Sequence, residues 1–324
     1  MARDRPSAVL GGITVLFAGE ICGWDSWGRV YQSIPLFLPV IQEIFRREGL
    51  AFVQPRHCTP GTNAVFLVGE LVIKIYAPKE SGLDGEKELE KERLALSFSQ
   101  MQGVPVPKVL ACGVVQDRYA FFYLVLSRLE GEELGICLPS MSDLEKYQIG
   151  RQLRSITRRM NQPFPQFPSS DVIWDRARWK RWQSYPASFQ QEREAYLSRL
   201  SSGPRVFVHG DLNGDNVFLG KAGGLSLLDF ADAVLAPEEY EHALVACELF
   251  GFDSACLEGY FGAVPYKELA QLCLDGLLIH DFGGDVLAQR LCPAQELTGL
   301  DLLYDKLLRA LKQGGPKRQK IPSK

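Results

Sequence analysis

The chain has 324 residues, is 46% hydrophobic and carries a formal net charge of -3. It is long enough to bury one large core or two lobes, and it has no basic excess that would make nucleic acid its main partner; a small solute fits better. Its eight cysteines lie no closer than nine positions apart and its four histidines show no metal-ligand spacing. That excludes a Cys-x-x-Cys zinc or redox site, reads as reduced thiols, and leaves any metal to carboxylates.

Residues 1–50 read as an N-terminal extension. Arg3 and Arg5 precede an apolar run from Ala8 to Ala18 that faintly resembles a secretory leader, but Gly11, Gly12 and Thr14 interrupt it. No run reaches the ~18 apolar residues of a membrane span, so a cytoplasmic protein without membrane contact is expected. The second half of the extension, from Ile34 to Phe45, has helical apolar spacing.

Residues 51–126 read as a first lobe. Strands are expected at 52–57, from Ala64 to Val68 and from Leu71 to Tyr76, with turns at Thr59-Pro60-Gly61-Thr62-Asn63 and Gly69-Glu70. A charged helix begins near Glu86 and ends before Gly103 and Pro105. Strands from Val109 to Val115 and Tyr119 to Leu126 follow, giving five strands and one helix.

A connector over 127–134 leads to a mainly helical second lobe, 135–311. Its clearest helix runs from Ser142 to Met160, and a Trp-containing helical region follows Pro163 to Pro168. Short strands are expected from Arg205 to Val208, Val217 to Leu219 and Leu225 to Leu228, then helices from Pro237. The tail 312–324 is basic, rich in Pro and Gly, and expected to be disordered.

One run concentrates chemistry: Val208-His209-Gly210-Asp211-Leu212-Asn213-Gly214-Asp215-Asn216, followed by Leu227-Leu228-Asp229-Phe230. Phosphoryl transfer needs the phosphates held, their charge neutralised and the attacking hydroxyl oriented. An Asp opening a loop, an Asn five positions on, and a second Asp ending a nearby hairpin supply these parts. An ordinary turn plus a capping Asp is the plainer alternative, and the order and spacing of all three residues weigh against it.

Here the sequence resembles the aminoglycoside phosphotransferase and choline kinase family, from about Phe52 to about Tyr260. The resemblance implies an α+β, two-lobed protein-kinase-like fold: a small antiparallel β-sheet lobe with one helix, then a mainly helical lobe. It implies a kinase using ATP and Mg2+, with Asp211 as catalytic base or hydroxyl-orienting group, Asn216 and Asp229 as metal ligands, and His209 shaping the loop.

The first lobe adds to this reading. Lys74 sits mid-strand in Val72-Ile73-Lys74-Ile75-Tyr76, which is costly unless its ammonium meets an anion; the family's answer is ATP phosphate plus a helix Glu. Glu88 and Glu92 are both candidates, and Glu92 falls on the apolar side with Leu89 and Leu96. Gly61, Thr62 and Asn63 offer backbone amides to phosphate, and Ser127 and Leu129 offer the connector backbone to adenine. The sequence lacks Gly-x-Gly-x-x-Gly, has Ala231 in place of the Gly of Asp-Phe-Gly, and lacks Ala-Pro-Glu, so a small acceptor is expected rather than a protein.

Between Ala222 and Tyr266 there is no Lys or Arg, while Asp229, Asp232, Glu238, Glu239, Glu241, Glu248, Asp253 and Glu258 are acidic. Two readings stand: carboxylates that attract an amine-bearing acceptor, with Asp232 and Glu241 the candidates, or ordinary helix faces. Arg151, Arg154 and Arg158, and the stretch Trp174 to Trp182, read as amphipathic surfaces rather than nucleic-acid contacts. The competing function is a catalytically weak nucleotide-binding scaffold that regulates a protein partner.

Overall fold

In the first lobe, alternation of apolar residues over 64–68 and 71–75 dictates a sheet with two different faces. The computed structural model describes residues 9, 10, 13–59, 61–200 and 203–314, without the side chains of 9, 10, 13, 14 and 176–178. Pro60 of the expected phosphate turn and residues 315–324 of the basic tail lie outside that description. The chain divides into two units, one comprising 1–97 and 107–129 and the other 98–106 and 130–324. Each is described by itself.

The first unit is built on a five-stranded antiparallel sheet in the order Arg56–His57, Ala64–Val68, Leu71–Ile75, Ala120–Ser127, Val109–Gln116. Only Arg56–His57 of the strand expected over 52–57 pairs with a neighbour. Ala64, Phe66, Val68, Ile73 and Ile75 point to one face, and the core there is completed by Phe37, Val40, Ile41, Ile44 and Phe45 of the helix Ile34–Arg47, together with Phe17, Ile21 and Trp27. The expected extension therefore shares the sheet's core. Its backbone is tied in as well: Leu16 and Phe17 donate to the Asp117 carboxylate, and Ile21 donates to the Tyr119 hydroxyl at 2.9 Å. The opposite face carries Lys74, opposite Val65 and Leu124, and meets the helix Gly85–Met101 through Glu92.

The second unit is mainly helical, as the spacing after residue 135 predicts. Asp143–Met160 opens with a capping box in which the Ser142 hydroxyl and the Glu145 carboxylate satisfy each other's backbone N–H groups. The helix Glu238–Leu244 lies close against Tyr266–Ile279, because Gly276 leaves room: a Cβ there would meet the Glu239 carbonyl oxygen at 2.0 Å. Two antiparallel pairs carry the motif, Val217–Leu219 with Leu225–Leu227 and Val206–Val208 with Val234–Ala236. The last strand is too short for period-2 alternation to reveal.

The Trp-containing stretch forms a 3-10 segment, Arg176–Trp182, and a separate helix follows at Ala187–Leu197. Arg193 of that helix is buried, its guanidinium 5.2 Å from the Trp179 ring centroid and 4.3 Å from that of Trp182, and it donates to the Leu278 carbonyl. These aromatic residues hold a buried arginine by cation–π contact and packing. Among the described residues no helix is long and apolar enough to cross a membrane.

Candidate active site

The loop His209 to Asn216 starts where the strand Val206–Val208 ends, and Asn216 immediately precedes the strand Val217–Leu219. Hairpin pairing sets Val217 opposite Leu227, and Leu228 donates to the Asn216 carbonyl at 3.1 Å. Asp229 is the next residue, so strand register alone brings it beside Asn216. It adopts φ 59°, the left-handed region that few residues other than Gly and Asn or Asp enter.

Inside the loop, the Asn216 amide nitrogen donates to the Asp211 carbonyl at 2.9 Å and to its carboxylate at 2.8 Å. Asn213 donates to both Asp211 carboxylate oxygens, at 3.0 and 3.1 Å. Asn213 was not singled out from sequence, because an Asn in a Gly- and Asp-rich loop reads as an ordinary turn residue. Asp211 is half-buried; burial, then the Asp232 and Asp229 carboxylates, push its carboxyl up to about 8. The amide nitrogen of Asn216 being committed to Asp211, its oxygen is the atom left for a cation. Asp229 adds a hard carboxylate oxygen, so this donor set suits magnesium or calcium rather than zinc.

His209 is fully buried and its imidazolium is disfavoured, the ring falling to about 4 because burial penalises the charge. One ring nitrogen faces the Leu228 carbonyl at 3.0 Å and the other accepts from the Asp211 N–H at 3.3 Å. A carbonyl can only accept, so the histidine is neutral with its proton on Nε2. It ties the loop's first turn to the hairpin end, and Phe230 packs on its ring with centroids 4.4 Å apart.

Glu241 differs from the expectation of an acceptor-facing acid. It is fully buried, and its two carboxylate oxygens accept the backbone N–H groups of His209 and Gly210, each at 3.1 Å. Burial pushes its carboxyl up to about 7 against the opposing pull of those hydrogen bonds. Gly210 has φ 81°, and a Cβ there would meet the Asp232 carbonyl oxygen at 2.3 Å; the close approach sets the exposed Asp232 next to the loop.

Most other acids of the basic-free stretch also have structural work. Glu248 pairs with Arg290 at 2.6 Å, Asp253 caps the helix Ser254–Phe261 and pairs with Lys146 at 2.7 Å, and Glu238 lies 3.6 Å from His242.

In the first unit Lys74 pairs with Glu92 at 2.8 Å, both side chains nearly buried, and the Tyr76 hydroxyl donates to the same Glu92 oxygen at 2.7 Å. Glu88 lies instead within 3.5 Å of the Asn63 amide and has its carboxyl raised by burial. Gly61 and Thr62 are exposed, whereas Asn63 is buried and accepts the Ala77 N–H at 3.0 Å. Ser127 is less open than expected, because its N–H and its hydroxyl both bond Lys108, each at 2.9 Å. Of the two connector residues, Leu129 is the one with a backbone N–H not engaged among the described residues.

The model of the phosphotransferase enzyme family (APH) matches residues 61–270, well over half of the chain. The chain belongs to this family. This phosphotransferase is a small-molecule kinase, and solved structures share its protein-kinase-like fold. The GDP complex of wild-type aminoglycoside 2'-phosphotransferase-IIIa aligns with TM-score 0.61 and 15% identity over 87% of this chain and 98% of that one. The amicoumacin kinase hAmiN in complex with AMP-PNP, Ca2+ and Ami aligns with TM-score 0.54 and 14% identity over 84% and 93%. A thermostable mutant of aminoglycoside phosphotransferase APH(4)-Ia aligns with TM-score 0.51 and 14% identity over 84% and 98%.

Proposed function

We propose that the enzyme transfers the γ-phosphate of ATP to a hydroxyl of a small molecule in the cytoplasm, with Asp211 as the base. The hydroxyl proton passes to the Asp211 carboxylate, the new O–P bond forms, the bond to the β-phosphate oxygen breaks, and ADP leaves. The observation that carries this is the joint hold on Asp211 by Asn213 and Asn216, with Asp229 set beside Asn216 by strand register. A divalent cation, which we take to be magnesium, would be held by Asn216 and Asp229 and would offset phosphate charge.

Lys74, paired with Glu92, and the amides of the turn at Gly61 to Asn63 serve the phosphates in this reading, and Leu129 serves adenine. Asp232, exposed beside the loop, is our candidate for an acceptor amine. The solved kinases support an acceptor of this kind, since one of them was captured as a GDP and kanamycin complex of APH(2")-IIIa and another as a gentamicin complex of APH(2")-IIa.

The test is ADP release from magnesium-ATP across a panel of aminoglycosides, amino alcohols and sugars. One acceptor class should stimulate the wild type, and Asp211→Asn should lower that rate by about 10²- to 10⁴-fold, the usual worth of a positioned base. Stimulated turnover left unchanged by Asp211→Asn would sink the mechanism.

A further inference from the structure

The family match begins at residue 61, yet a residue well upstream of it holds the turn assigned to phosphate. Trp27, in the helix Trp24–Val30, is fully buried, and its indole N–H donates to the backbone carbonyl of Thr62 at 3.0 Å. We infer that Trp27 is a positioning residue for nucleotide binding, fixing the Thr62–Asn63 peptide so that its N–H faces the phosphates. The inference rests on the reading of that turn as the phosphate contact.

The geometry follows from peptide planarity. In a trans peptide the C=O and the following N–H point in opposite directions. With the Thr62 carbonyl drawn onto the indole, the Asn63 N–H must point away from Trp27. The Asn63 side chain is locked independently, its oxygen accepting the Ala77 N–H at 3.0 Å. The peptide is thus held on both sides, and an amide held ready in this way binds an anion without the cost of ordering it first.

The indole is itself fixed. Its ring lies 6.0 Å from Phe37 at 88°, and Phe37 lies 5.7 Å from Phe66, in the strand that follows the turn. The Gly23 N–H, just before the Trp24–Val30 helix, donates to the Glu80 carbonyl at 2.7 Å, three residues beyond Ala77. Helix, turn and strand therefore form one braced body within the first unit. A buried indole N–H needs an acceptor wherever it sits; here the acceptor is the carbonyl of an exposed turn.

The experiment compares four full-length proteins, wild type, Trp27→Phe, Phe45→Leu and Gly61→Ala, by ATP KM, kcat and thermal midpoint. Trp27→Phe keeps an aromatic ring and removes the donor. It should raise ATP KM about two- to tenfold, the range one hydrogen bond's net worth spans, with kcat within about twofold. Phe45→Leu, in the same core but with its ring against Phe52 rather than Trp27, should lower the midpoint and leave KM alone. Gly61→Ala reports on the turn itself, since a Cβ there meets nothing within 4 Å of the protein.

A KM raised by Gly61→Ala but not by Trp27→Phe overturns the role of Trp27 while the turn assignment stands. KM unchanged in both removes the turn assignment, and the inference with it. A rise with Trp27→Phe alone overturns the route through the turn, and Trp27→Phe behaving like Phe45→Leu reduces Trp27 to packing.

Discussion

Replacing Glu241 with glutamine separates the stability of the second unit from the geometry of its loop, because two effects of opposite sign meet at one buried group. In the folded protein the carboxyl is pushed from 4.5 to about 7 by burial. At about 1.4 kcal/mol per pH unit, keeping it ionised above pH 7 costs about 3 kcal/mol. An acid whose folded value is raised stabilises the fold fully below its unfolded value and loses that contribution as pH rises through the folded one. Glu241 therefore makes the wild type lose stability between about pH 4.5 and pH 7.

Glutamine removes the charge and with it this slope, but it offers one acceptor to two backbone N–H groups and turns its own N–H2 on the other. Such an unmet pair costs about 1–3 kcal/mol. Glu241→Gln should thus be less stable than the wild type at pH 5, by about 1–3 kcal/mol, and close to it or above it at pH 8. Urea melts across that range read the difference directly. Activity should respond differently: at pH 8 kcat should fall about tenfold or more, because 1.4 kcal/mol of lost loop positioning suffices for that. A stability difference that does not change with pH would refute the assignment of the buried charge, and an undiminished kcat would refute the role of Glu241 in holding the loop.

Three further substitutions, with Glu248→Gln as a control, test the rest of the site. Asp229→Ala should abolish the metal-dependent part of nucleotide affinity, measured by calorimetry with and without magnesium, and equal affinity in both conditions would contradict the metal assignment. Glu92→Gln keeps an acceptor for the Tyr76 hydroxyl but leaves the Lys74 ammonium without its paired charge, which should cost about 3–5 kcal/mol of stability and raise ATP KM; a melt within 1 kcal/mol of wild type would count against the pair. Asp232→Asn should raise acceptor KM with little change in melting, whereas Glu248→Gln, which breaks the pair with Arg290, should lower the melting temperature and leave acceptor KM unchanged.

The run proposed to be catalytic was legible because its residues lie close together in sequence. His209 to Asn216 is one loop, and Asp229 follows from a hairpin whose short strands can be read from Val217 and Leu225 onward. The ion pair of Lys74 with Glu92 was legible through two periods, alternation along the strand and the 3–4 spacing along the helix. What could not be read depends on contacts distant in sequence. Trp27 meets Thr62 across 35 residues, and nothing about an isolated tryptophan marks its N–H as a donor to a turn. Glu241 meets the loop across 31 and 32 residues; its charge was visible but its burial was not, so it read as an acid facing the acceptor. The two strands of 52–57 and 234–236 show the same limit, because a strand of two or three paired residues is defined by its partner rather than by its own sequence.

The acid-rich stretch shows how charge counts mislead when partners lie elsewhere. It contains no Lys or Arg, so its net charge invites a cationic ligand. Yet Lys146 and Arg290, which lie outside it, neutralise Asp253 and Glu248, and the backbone amides of His209 and Gly210 take up Glu241. Asp232 and Asp229 lie beside the loop, where their carboxylates add to the burial that raises the Asp211 carboxyl. A charge count along the chain therefore overstates the field at the loop, because the groups that cancel it come from other segments.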